Sequence, residues 1–237
     1  MDKFINTQYI VREPHDLGEL ETLLQLRYQM FLPTGAIAEN EYEIDLDYFD
    51  QNSIHIGLFV ESGTESKAIG AMRLVVSQPT HHCHLIQKVA LDKPFFTKKL
   101  AIMPKSPLPF FNYVPFLEAL NNFQKDKPQI FEASRNCIKD RAQAASLSGF
   151  LIEASTGISI SYLPNYEWFA ASWVEHECIY KRYGFRRIPG TESFEYPQGR
   201  VACILHSNIE MLSDTIRNRI VHMRDEFEKY GEIALTQ

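Results

Sequence analysis

No stretch of about 18 uncharged apolar residues occurs in the chain, so no transmembrane helix is expected. The amino terminus, Met1-Asp2-Lys3-Phe4, lacks the charged-then-apolar order of a signal peptide. Lysine and arginine are not gathered into an arm or a long run, and the formal net charge is −6. Nucleic acid is therefore not the expected partner, because neutralising phosphates needs concentrated cations. Cysteine is scarce: Cys83, Cys137, Cys178 and Cys203 stand apart without paired spacing. That usage predicts reduced thiols, not a disulfide framework, and a cytoplasmic location. There is no Gly-x-Ser-x-Gly elbow, no phosphate loop and no dinucleotide fingerprint. What is present is ordinary globular composition, 45% hydrophobic and 23% charged over 237 residues. That length suits one sizeable domain, spanning 1–237, better than two.

The first element predicted is a helix near 17–31, with Asp16 as N-cap and Glu19 completing a capping box. Leu17, Leu20, Leu24 and Phe31 fall near one face. Residues 32–52 lose periodicity and gain Glu39, Glu41, Glu43, Asp45, Asp47 and Asp50, which reads as a loop. Strands are predicted near 53–60 and 68–77, where apolar residues alternate on either side of a turn at Gly63. Pro94, Pro104, Pro107, Pro109 and Pro115 break 93–129 into an irregular insertion with a short helix near 115–123. A strong strand follows at 129–137, then a helix near 140–156, a strand near 157–163 and a helix over 166–183 ending at Gly184. Short strands near 185–188 and 200–206 precede a final helix, 208–229. That helix is striped by Ile209, Leu212, Ile216, Ile220, Met223 and Phe227. The alternation of strands and helices points to a mixed α/β sheet covered on both faces.

The informative residues are charges on strands that otherwise read as buried. Arg73 shares a strand face with Ala71 and Val75, and an unpaired buried guanidinium would cost several kcal/mol. Its partner is either an acid of the 39–50 loop or a ligand anion. Glu132 and Arg135 are three apart, so on a regular strand they face opposite sides. A bulge between them would bring both to one face and free backbone N–H groups to polarise a carbonyl oxygen. Arg27, read alone, is a solvated helix charge by burial statistics. Asp47 and Asp50 alone would be loop solubility, and Ser53 with His55 one polar strand face. The His81-His82-Cys83-His84 run has no second ligand pair at suitable spacing, and no metal is expected.

Taken in order, these residues resemble the autoinducer synthase group, the acyl-homoserine-lactone synthases and N-acyl amino acid synthases. Arg27 to Phe31 is similar to its Arg-x-x-x-Phe helix, and Asp47-Tyr48-Phe49-Asp50 to its Asp-x-x-Asp loop. Arg73-Leu74 resembles its Arg-Leu strand end, and Glu132-Ala133-Ser134-Arg135 its Glu-x-Ser-Arg strand. Ser53-x-His55 looks more like the N-acyl amino acid synthases and exosortase-associated acyltransferases. The resemblance implies a three-layer GNAT fold with about seven strands in a twisted mixed sheet and helices on both faces. It implies an N-acyltransferase moving a fatty acyl group from a thioester to the amine of an amino-acid-like acceptor. Acyl carrier protein or acyl-CoA would be the donor, with no tightly bound cofactor. Glu132 would act as general base, with Ser134 and Arg135 beside it. Arg27, Phe31, Asp47, Asp50, Ser53, His55 and Arg73 would shape the acceptor pocket. A carrier protein is acidic, so Lys181, Arg182, Arg186 and Arg187, with Lys98, Lys99 and Lys105 as second choice, are candidate docking cations. The same basic residues equally suit a solvated helix end. Two alternatives stand beside this reading: a homoserine-lactone synthase with S-adenosylmethionine as acceptor, and a non-catalytic GNAT-like module that binds acyl groups or a partner.

Overall fold

The computed structural model describes residues 7–77, 84–104, 106, 108–109, 118, 121–122, 130–139, 144–163, 167–196 and 199–235. Among these residues nine strands form one mixed sheet: β1 (Thr7–Arg12), β2 (Ser53–Ser62), β3 (Glu65–Val76), β4 (Ile130–Ile138), β5 (Glu167–Trp173), β6 (Arg186–Arg187), β7 (Phe194–Tyr196), β8 (Arg200–Ser207) and β9 (Glu232–Ala234). Their order is β6-β8-β5-β4-β3-β2-β1-β9, with β7 beside β8, and only β4 and β5 pair in parallel. The sheet is wider than the seven strands expected because β1, β7 and β9 are short or isolated runs with little pattern. The helices are α1 (Leu17–Phe31), α2 (His84–Leu91), α3 (Pro94–Leu100), α4 (Ala144–Tyr162), α5 (Glu177–Lys181) and α6 (Asp214–Tyr230).

Helix α1 begins where its sequence says. Asp16 accepts from the Glu19 N–H at 2.9 Å, but the reciprocal half of the expected box is not made. The Glu19 carboxylate instead accepts from Arg12 at 2.7 and 2.8 Å and from the His15 N–H. Along α1 the buried positions Leu20, Leu23, Leu24 and Arg27 follow the steps of three and four that face a core. The expected solvated Arg27 is thus corrected: it is 1% exposed.

Two segments reverse their expected structure. Residues 157–163 are not a strand, for α4 runs unbroken to Tyr162. Alternation of Ile158 and Ile160 with serines mimics a period of two, but α4 is buried nearly all round, between the sheet and α6, so its sequence carries little helical stripe. Gly157 permits that approach, since a Cβ there would stand 3.0 Å from the Arg224 backbone nitrogen on α6. Residues 166–183 are not one helix either. Trp168, Phe169 and Ala170 form a central strand buried on both faces, where the alternation signal is lost. Helix α5 occupies only Glu177–Lys181, and Gly184 turns the chain at φ +75° where a Cβ would meet the Met211 carbonyl oxygen at 2.9 Å. The last helix starts at Asp214, capped by Ser213; Ile209–Met211 form a separate 3-10 turn. The short helix expected near 115–123 lies largely outside the described residues, as do Lys105 and His81-His82-Cys83.

Helices α4 and α6 cover one face of the sheet over a continuous apolar cluster that includes Met72, Leu74, Phe131, Leu151 and Ile158. Helix α1 and the acidic segment 39–50 cover the other, joined by α2 and α3 through Ile86, Val89 and Phe96. No helix among the described residues is long and apolar enough to cross a membrane.

Candidate active site

The segment carrying the acids is irregular in backbone but not in burial. Ile44 and Leu46 are core residues, and Asp45 and Asp50 between and after them are 2% and 0% exposed. The Asp45 N–H donates to the Leu24 carbonyl oxygen at 3.1 Å, tying the segment to α1. A 3-10 turn, Tyr48–Asn52, follows with both halves of a capping box: Asp47 accepts from the Phe49 N–H at 2.9 Å, and Asp50 from the Asp47 N–H at 2.7 Å. The carboxylates are thereby fixed before any side-chain partner is counted.

Three guanidiniums meet them. Arg27 donates to Asp45 at 3.0 Å and to Asp50 at 2.8 Å. Arg73 reaches Asp47 at 2.6 Å and Asp50 at 3.1 Å, and its Nε donates to Ser134 Oγ at 3.1 Å. Arg135 donates to Asp45 at 2.7 Å, lies 3.8 Å from Asp47, and sits 5.3 Å over the Phe31 ring. The partner of Arg73 is thus the acid loop, the first of the two readings its sequence allows. Burial alone would raise Asp45 and Asp50, but Arg135 and Arg27 hold Asp45 below its usual range and Arg27 and Arg73 hold Asp50 there. Burial likewise works against the Arg73 charge, and Asp47 and Asp50 overcome it and raise its pKa. Arg27, Arg73 and Arg135 balance Asp45, Asp47 and Asp50 charge for charge.

Ser53 and His55 continue this buried layer. Ser53 donates to the Phe49 carbonyl oxygen at 2.6 Å, and His55 Nε2 lies 3.2 Å from the Asp50 carbonyl oxygen. A carbonyl can only accept, so the ring proton belongs on Nε2. Burial drives the His55 pKa down to about 4, more than Asp50 can raise it, and the ring is neutral at physiological pH.

The bulge expected between Glu132 and Arg135 is not there: Glu132, Ala133 and Ser134 pair in regular register with Val75, Leu74 and Arg73, and the irregularity falls at Arg135 and Asn136. Ser134 faces Arg73 and Cys137 faces Ala71, so Arg135 and Asn136 together oppose one residue of β3. Arg135 adopts φ +56°, a left-handed conformation that few residues other than glycine take up. That turn carries its side chain to the acid loop, onto the face where Glu132 and Ser134 already point. Beside it the parallel pairing of β4 and β5 ends at Ala133 and Ala170, although β4 continues to Ile138 and β5 to Trp173. The strands part there, and β4 has no ladder partner in β5 beyond Ala133.

A cavity of about 170 Å³ occupies the gap. Asp47, Arg73, Glu132, Ser134 and Arg135 line it from one side; Trp173, His176 and Tyr180 line it from the other. Glu132 is 3% exposed. Arg27, Asp45, Asp50, Ser53 and His55 do not line the cavity and form the layer beneath its floor. Sequence reading passed over Asp45, Tyr180, Trp173 and His176. Apolar Ile44 and Leu46 interleaved with acids were the available sign that this loop is tied to the core. Tyr180 carried no local sign; burial raises its hydroxyl pKa, with the Asn136 amide working against that shift.

The candidate docking cations lie elsewhere. Arg187 is held by Glu177 at 2.9 and 2.8 Å, and Lys181 approaches the same carboxylate at 3.1 Å. Arg182 and Arg186 are exposed.

No protein-family model matches the chain, and no curated protein sequence matches it. Solved structures do. FeeM, an N-acyl amino acid synthase from uncultured soil microbes, superposes with a TM-score of 0.59 at 10% identity, over 93% of this chain and 99% of that one. The fold is GNAT-like. The AHL synthase LasI gives a TM-score of 0.56 at 16% identity over 98% of both chains. BjaI, a CoA-dependent acyl-homoserine lactone synthase solved with SAM and isopentyl-CoA, gives 0.53 at 17% identity, over 85% of this chain and 81% of its own. In this chain the parted strands carry a buried glutamate on the gap and a charge-neutral floor beneath it.

Proposed function

We propose that the chain is an N-acyltransferase that moves a fatty acyl group from an acyl thioester to the amine of an amino-acid-like acceptor. The observation that carries this reading is the cavity between the parted ends of β4 and β5, with Glu132 on its wall. An acyl thioester laid in the gap presents its carbonyl to the unladdered edge of β4, whose N–H groups stabilise the oxyanion as the amine attacks. Glu132 takes the ammonium proton, directly or through a water. The new C–N bond forms, the C–S bond breaks, and the thiolate leaves as a thiol after gaining a proton, for which the neutral Tyr180 hydroxyl lining the same cavity is the candidate donor. Asp47 attracts the acceptor ammonium from the cavity floor. Arg73 is committed to Asp47, Asp50 and Ser134, so it anchors the acid loop, and Arg135 is the guanidinium open to an acceptor carboxylate. Arg27, Asp50, Ser53 and His55 position these groups from below; Phe31 closes one wall beside Arg135.

Acyl carrier protein or acyl-CoA supplies the thioester, and exposed Arg182 and Arg186 with Lys181 are the candidate cations for a carrier. The test is release of free thiol from each donor, with free amino acids or S-adenosylmethionine as acceptor. Amine-dependent release that fails in Glu132→Gln supports the reading. A lactone product from S-adenosylmethionine would replace it with the homoserine-lactone synthase reading, favoured by the likeness to LasI and BjaI. No amine-dependent release from either donor would leave a non-catalytic module.

A further inference from the structure

Away from the cavity, the described part of the 84–104 segment has a surface unlike the rest of the molecule. Its inward residues, Ile86, Val89, Phe96 and Leu100, pack onto α1. Its outward residues are nonetheless apolar: Leu91 is 75% exposed, Phe95 47%, Ile102 68% and Met103 79%. These are four of the seven large apolar side chains found exposed among the described residues, gathered in thirteen positions of sequence. Leu91 and Phe95 flank the turn between α2 and α3, and Ile102-Met103 follow the end of α3, whose seven residues span about 10 Å. A scatter of single apolar residues needs no explanation, but a concentration of large ones marks a surface that meets something apolar.

The charges around it are mostly positive. Lys88, Lys98 and Lys99 stand beside these side chains with no carboxylate partner among the described residues, while Lys93 is paired with Glu21 at 2.7 Å. Asp92 is the single acid on this stretch. A local excess of cations on a chain of net charge −6 is set against the molecule's overall balance. Lysines rimming bulky apolar tips are the chemistry of an interfacial segment, the tips entering the acyl boundary and the ammoniums meeting anionic headgroups. An acidic protein surface would satisfy the lysines but leave four large apolar tips to be matched.

We infer that the outer face of α2, α3 and Ile102-Met103 docks the protein reversibly on an anionic lipid surface. The inference does not depend on acyl transfer. It places the surface next to the candidate site, because Gln51 of the acid-loop turn donates to the Leu100 carbonyl oxygen at 3.1 Å.

The test is co-sedimentation of the full chain with vesicles of phosphatidylcholine alone and of phosphatidylcholine mixed with phosphatidylglycerol. Binding is expected to the mixed vesicles and to weaken with added salt. Lys98→Glu with Lys99→Glu should weaken it by about tenfold or more. Leu91→Asp with Ile102→Asp should weaken it as well, with melting temperature unchanged because both residues are already in solvent. Failure of the parent protein to bind mixed vesicles would overturn the inference. So would undiminished vesicle binding by both double variants, or loss in those variants of binding to acyl carrier protein alone, which would make the face a protein-docking surface.

Discussion

Beneath α4 and α6 the sheet presents Met72, Leu74, Phe131 and Ala170 to a continuous apolar layer. Beneath α1 the same strands present His55, Arg73 and Glu132, and with Arg27, Asp45 and Asp50 these are all at 3% exposure or less. The apolar layer is held by area and shape, which many side chains of similar volume can supply. The charged layer is held by stoichiometry: Asp45 and Asp50 stay ionised where burial opposes it, chiefly through their guanidinium partners. An apolar layer resists loss of volume, whereas a charged layer resists loss of any one partner. The open edge of the charged layer, at Asp47, Arg135 and Glu132, is where a ligand can enter.

The sharpest way to break that contrast is a matched pair of near-isosteric changes. Arg27→Met leaves Asp45 and Asp50 short of a cation and should cost about 3–5 kcal/mol in urea unfolding. Leu151→Met, on the apolar face, should cost less than about 1.5 kcal/mol. Equal costs would mean the charges contribute only as volume. Next in size is Leu151→Ala, fully buried in the α4 layer, for which a loss of about 2–5 kcal/mol is expected without change in pH dependence.

A smaller effect separates the faces by pH. The folded protein holds His55 neutral down to about 4, against 6.5 for the free side chain. Between those values the unfolded chain binds more protons, so this contribution to stability is complete above 6.5 and is lost as pH falls toward 4. At about pH 5 the loss amounts to about 2 kcal/mol relative to neutral pH. His55→Gln should flatten the stability curve across that window, measured by urea titrations at successive pH values. An unchanged slope would mean that the imidazole is not the buried group responsible.

The two faces were also unequally legible in sequence. The stripe of α6 is an amphipathic pattern that survives because one side of the helix meets solvent, whereas β2 alternates because its two buried faces meet an apolar layer and a polar one. Residues 157–160 and 168–170 are buried on all sides, and there α4 and β5 were exchanged for each other. On the site face, Arg73, Glu132 and Arg135 were conspicuous because strands rarely carry charge inward. Arg27 was not, since an arginine on a helix is ordinary until its register with Leu20 and Leu24 is set beside the acids it meets. Asp45 was hidden by its acidic neighbours, and Tyr180 reaches the cavity only because β4 and β5 part, a tertiary event with no local pattern.

The separation of a charged floor from a reactive edge comes down to Glu132. Turnover of an acyl thioester with an amine acceptor, and the melting curve, should be measured on the same preparations of the parent and Glu132→Gln. Amine-dependent thiol release should fall about 10²- to 10⁴-fold while the melting temperature holds. Undiminished release from Glu132→Gln, or collapse of its fold, would contradict the account.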